Sequence, residues 1–270
     1  MLGIMALALG ITGGFLHLSL QGASSVLAGV TVAILPALFW LTVLFRAARR
    51  GGGQISPLLP TMFILGALVA AALMRPLLYD LLNIPDWLSR TSQTNRFLAH
   101  ILLYGFSNVF VIYMLVRYIV WRTPSFERRI DGVLYSVAVA WGYASMFGVL
   151  FVVNQGGVTL FNGGLRLLAQ LAASVATAFV VGYFLGRNRF EDMPLYYLTG
   201  GVVLAAALNG LMLYAGTELN GVRLSVSNDA YSPWPGLGFS FALLVLTYSA
   251  ILGLLRRHNS LTKARLEHKE

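Results

Sequence analysis

No cysteine occurs in this sequence, and only four histidines and ten carboxylates do. The first absence excludes disulfides, thiolate nucleophiles and cysteine-held metal, and leaves the compartment undecided. The histidines are His17, His100, His258 and His268, of which the last two fall in a basic C-terminal tail. His17, His100 and Asp80 lie at similar depth by position in the chain. Zinc ordinarily takes three or four protein ligands, and ordinary helix-end hydrogen bonding explains these two imidazoles more simply. No glutamate lies in any long apolar run, so a buried carboxylate pair is missing too. Ser107, Ser136, Ser145 and Ser174 have no sequence-adjacent base to activate them, and helix packing is their default role. Charge is scarce overall: 11% of residues are charged, against about 25% in a soluble domain.

What is abundant is apolar sequence, 57% of the chain. Eight runs, 2–20, 24–45, 58–79, 98–120, 132–153, 165–186, 194–215 and 237–255, are long enough to cross about 30 Å of hydrocarbon. The expected fold is all-α: one polytopic membrane bundle of about eight helices over residues 1–270, with no soluble domain in the connections. The run 2–20 has no basic prefix and no A-x-A site, so a retained helix is expected rather than a removed signal.

Thirteen of the nineteen basic residues then fall on one face. They follow the second run (Arg46, Arg49, Arg50), the fourth (Arg122, Arg128, Arg129), the sixth (Arg187, Arg189) and the eighth. The positive-inside rule puts that face and both termini in the cytoplasm of a bacterial-type inner or plasma membrane. The formal charge of +9 is explained by anionic lipid headgroups, with no nucleic-acid partner. Membrane lipids and other membrane subunits are the expected partners. No cofactor is expected beyond structural lipid.

Between the runs, 46–57 is a basic turn whose glycines lack the context of a phosphate loop. Residues 83–97 read as an interfacial segment on the outer face, anchored by Trp87. The outer loop 216–236 has turn signals around a short alternating piece, Val222, Leu224 and Val226. Tyr231 and Trp234 belong at headgroup level. With Trp87 they are the candidates for partner contact.

Polar groups inside the runs have structural readings. Arg75 pairs with Asp80 or snorkels; Arg117 sits a turn from a helix end. Arg166 opens the sixth run and reaches outer headgroups. Asp131 caps the fifth helix. Asn108 and Asn209 bond across the bundle, since an unpaired amide in hydrocarbon is costly. Small residues at four-residue spacing, Ser136, Ala140, Ala144 and Gly148, and then Ala178, Gly182 and Gly186, mark faces where backbones approach closely.

The segment FERRIDGVLYSVAVAWGYASMFGVLFV resembles the PrsW family of intramembrane proteases. Phe126, Asp131, Gly132, Tyr135, Gly142, Tyr143 and Ala144 keep the spacing of that family's F-x4-D-G motif region. Arg166, Gly182, Tyr183 and Gly186 are similar to a later R…G-Y-x-x-G pattern. The resemblance covers about residues 100–215 and implies a core in the fourth to seventh helices. Residue by residue, the family's paired glutamates fall at Asn108 and Val109, and the following lysine at Ile112. Its E-N pair falls at Phe147 and Gly148, and its histidines at Ala173 or Ser174 and at Ala205, before Asn209. Every acid and imidazole is replaced. The resemblance therefore implies a non-catalytic scaffold, assembly or regulatory subunit that keeps the frame of an enzyme. The alternatives are an intramembrane metalloprotease with a divergent site, and a small-molecule or lipid transporter. The latter predicts a polar cavity around Asn108, Asn209 or Ser174.

Overall fold

A computed structural model describes residues 22–50, 58–159, 161–219 and 232–267. Regular structure among them is entirely helical. That follows from lipid chemistry, because hydrocarbon offers no partner to a backbone N–H or C=O and a helix satisfies both internally. The long helices are α1 (Ala23–Arg50), α2 (Leu58–Leu81), α4 (Gln93–Val120), α5 (Arg129–Asn154), α6 (Asn162–Phe190), α7 (Leu195–Leu219) and α8 (Trp234–Glu267). All seven are long and apolar enough to cross a bilayer. They correspond to the second through eighth predicted runs. The first run, with His17, lies outside the described residues. So do His268, Tyr231 and the alternating piece Val222, Leu224 and Val226.

Helices α5 and α6 form the centre. Inside their apolar windows 67% and 78% of residues are buried, against 22–44% in the other five. Glycine sets the approach of these helices. A methyl on Gly132 would meet the Gly182 carbonyl, and one on Gly186 would meet the Arg129 carbonyl. Helix α2 docks on α5 in the same way, through Gly66 against Val139 and Gly142 against Phe63. Helix α4 docks on α7 through Gly105 and Gly210. Such contact replaces the hydrophobic drive that is lost when the solvent is itself apolar.

Helix starts are chemically marked. The Asp131 carboxylate reaches back to accept the Arg128 and Glu127 backbone N–H groups at 2.7 and 3.0 Å, capping α5. A short helix, α3 (Ile84–Ser89), precedes α4. It follows Asn83, which has φ of 41° and donates its side-chain N–H to Asp86 at 2.8 Å. The predicted interfacial segment 83–97 is thus split, because Ser92 caps a new helix at Gln93 and the remainder already belongs to α4. Among the described residues four π-helical stretches interrupt the spans: Ala70–Met74 and Pro76–Leu81 in α2, His100–Gly105 and Val116–Val120 in α4.

Alternating helix direction gathers Arg117, Arg128, Arg129, Arg187 and Arg189 at one end. There Arg187 donates to Glu191 at 2.6 Å and to the Tyr197 hydroxyl at 3.0 Å. Arg129 pairs with the same Glu191 at 3.2 Å. The Arg117 guanidinium lies 3.5 Å from the Trp121 ring centre.

Candidate functional site

At the end opposite the Arg117, Arg129 and Arg187 cluster, α2 to α8 enclose a partly open chamber of about 490 Å³. Its rim carries Tyr79, His100, Tyr104, Arg166 and Thr217; its floor carries Asn108, Ser174 and Asn209. His100 and Asn108, Arg166 and Ser174, and Thr217 and Asn209 are each eight residues apart on one helix. At 1.5 Å per residue the floor lies about 12 Å below the rim. Phe147, Tyr143 and Met212 supply apolar wall between the two layers.

The rim is built on two of the π-helical stretches, which carry Tyr79 and, in α4, His100 and Tyr104. Widened turns shift side-chain register and recur at functional sites. His100 is buried, and its Nδ1 lies 2.7 Å from the Arg96 carbonyl oxygen. A carbonyl only accepts, so in the neutral ring Nδ1 carries the proton and Nε2 keeps its lone pair. Tyr79 and Tyr104 line the rim together. Arg96, which holds His100 through its carbonyl, pairs with Glu218 at 3.6 Å. On the floor, Asn209 donates to Thr177 Oγ1 at 3.0 Å, and Thr177 donates on to the Ala173 carbonyl at 2.8 Å. The carbonyl oxygens of Asn108 and Asn209 are buried without a hydrogen-bond partner among the described residues.

Of the positions singled out by sequence, the chamber unites Asn108, Phe147, Ser174, Arg166 and Asn209. It does not include Val109, Ile112 or Ala205, which are fully buried in the apolar core. Gly148 packs against Ala33 and the Leu167 side chain instead. Asp131, Gly132, Tyr135, Gly182 and Gly186 lie toward the arginine-rich end; Tyr135 donates to the Ser125 carbonyl at 3.2 Å. Trp87, on α3, donates its indole N–H to the Leu82 carbonyl at 3.2 Å, and the ring of Trp234 meets that of Phe161 edge-on. Sequence reasoning missed Tyr79 and Tyr104, named Tyr143 only within the family motif, and preferred a helix-end role for His100. Tyrosine in an apolar run reads as packing until another helix brings a second hydroxyl beside it.

The PrsW family intramembrane metalloprotease profile matches residues 56–245, a stretch that contains every residue lining the chamber. The chain belongs to the PrsW family. It is 28% identical over 164 residues to Protease PrsW of Halalkalibacterium halodurans, covering 60% of this chain and 71% of that one. It is 23% identical over 189 residues to Protease PrsW of Clostridioides difficile, covering 67% and 74%. Protease PrsW of Geobacillus kaustophilus is 27% identical over 116 residues, 43% and 48% of the two chains. No solved structure matches the chain. The fold is thus that of a multi-pass membrane protein in a family whose matched relatives are bacterial.

These PrsW relatives overturn the expectation of a non-catalytic scaffold or complex subunit, because they are named as proteases. Replaced acids at carried-over positions test one way of building a site. They do not measure activity. The family's description also implies a metal. Among the described residues the chamber wall offers one imidazole and no carboxylate, and there is no cluster of three His, Cys, Asp or Glu. That donor set does not fit a side-chain-held metal, which needs three or four such ligands.

Proposed function

We propose that this chain is an intramembrane protease with a divergent site, cutting membrane-spanning peptides at the rim of the chamber. The observation that carries the reading is the family match over 56–245, inside which the whole chamber falls. A transporter also needs a polar cavity around Asn108, Ser174 and Asn209. The protease relatives favour hydrolysis over translocation.

In this reading His100 is the proton-handling group. Its Nε2 takes a proton from water as the water oxygen adds to the scissile carbonyl carbon. The proton passes to the amide nitrogen as the C–N bond breaks. Nδ1, bonded to the Arg96 carbonyl, keeps the ring turned and its tautomer fixed. In this reading the hydroxyl of Tyr104, which shares the π-helical stretch with His100, donates to the developing oxyanion. Tyr143 and Phe147, with rings 4.8 Å apart, keep bulk water from the chamber wall.

The basic end faces the cytoplasm and the chamber opens on the outer side, by the positive-inside rule. Lipid covers the exposed apolar faces of α1, α2 and α8.

Purified protein in liposomes, given a library of labelled single-span peptides, tests the activity. Cleavage is expected. Removing the base in H100A should slow it by about a hundredfold or more. Because no step passes through a metal, 1,10-phenanthroline should leave the rate unchanged. Undiminished cleavage by H100A, or abolition by the chelator, would refute the assignment.

A further inference from the structure

Among the described residues lining the chamber, Arg166 carries the only guanidinium or ammonium group, and none carries a carboxylate. Its guanidinium carbon sits 4.6 Å from the Phe151 ring centre, in a lining it shares with Tyr79 and Tyr104. The other described carboxylates at this end have partners, Asp86 accepting the Asn83 side-chain N–H at 2.8 Å. Asp80 pairs with Arg75 at 3.7 Å, and Glu218 with Arg96 at 3.6 Å. The mouth therefore holds a positive charge that no described side chain neutralises. Below it, Asn108 is more than nine-tenths buried, and its side-chain carbonyl oxygen, like that of Asn209, has no hydrogen-bond partner among the described residues. Buried amides of this kind cost free energy until a partner arrives.

We propose that the chamber selects membrane-spanning peptides bearing a carboxylate, an aspartate or glutamate side chain that pairs with Arg166 at the rim. The peptide backbone runs inward, and its N–H and C=O groups satisfy Asn108 and Asn209. A planar guanidinium suits a carboxylate because two parallel N–H···O bonds fix its orientation. A phospholipid headgroup could meet the same cation, but its acyl chains would leave both asparagines unpaired. The floor thus favours a peptide over a lipid. This proposal rests on the proteolytic reading for the ligand's being a substrate, and it concerns binding alone.

The test uses the full chain in phosphatidylcholine nanodiscs and two fluorescent single-span peptides. The two differ only in Asp or Asn at the residue bordering the headgroups. The Asp peptide should bind about tenfold more tightly, as a charge-assisted pair replaces a neutral one. R166Q should bring the ratio to one. R166E should prefer a peptide with Lys at that residue, which guards against a variant that merely misfolds. Equal binding by the wild type, or a preference that survives in R166Q, would overturn the proposal. A preference erased by adding phosphatidylglycerol would assign Arg166 to lipid and overturn it as well. Binding is read without turnover. An intact but still discriminated peptide would count against proteolysis alone, and cleavage blind to the carboxylate would count against this inference alone.

Discussion

At the scale of single residues, glycine and one threonine carry the packing. Gly142 lies where an added methyl would collide with the Phe63 main-chain carbonyl, which no side-chain rotation can relieve. G142A should destabilise the bundle by about 1–3 kcal/mol, as overpacked sites do. Gly253, by contrast, has open space where its methyl would go. G253A should stabilise by about 0.5–1 kcal/mol through helix propensity alone. Thermal unfolding in one detergent reads both signs, and a loss in G253A matching that in G142A would contradict the close-approach account. T177V removes the partner of Asn209 and should cost about 0.6 kcal/mol, the average for an interhelical bond in a membrane protein. The small-residue stripes were legible in the sequence because spacing alone defines a face. The partner of Asn209 was not, since Thr177 looks like any other stripe residue until α6 and α7 meet.

At the scale of elements, the helices were legible and their interruptions were not. An apolar run long enough to cross hydrocarbon dictates a helix, so seven predicted runs reappear as α1, α2 and α4 to α8. The π-helical turns at Pro76–Leu81 and His100–Gly105 leave no such signature, because a widened turn has the same composition as an ordinary one. They are what brings Tyr79, His100 and Tyr104 onto the rim. The start of α5 depends on Asp131, whose buried carboxylate holds two backbone N–H groups. D131A should cost about 1–2 kcal/mol and D131N less, since the amide oxygen still accepts. Hydrogen exchange should show the first turn of α5 opening before the rest of the helix. Uniform loosening of α5 would instead assign Asp131 to the whole core.

At the scale of the whole molecule, two ends with different chemistry define the protein. One carries an arginine cluster, paired through Glu191 and stacked on Trp121; the other carries the chamber with Arg166 at its rim. The sequence announced the first through charge counting. The second arises only when seven helices converge, from residues that each had a plain packing explanation. Because the chain has no cysteine, single reporters are clean. A membrane-impermeant maleimide added to intact cells should label Q93C and spare E127C, which flank opposite ends of α4. The reverse pattern would invert the orientation. Whether the chamber cuts peptides is the central question, and the products answer it most directly. Mass spectrometry of single-span peptides incubated with wild-type proteoliposomes should find two fragments, joined at a bond within the outermost turns of the span, level with His100. Peptides recovered whole, or cut at the arginine-rich end, would contradict the account.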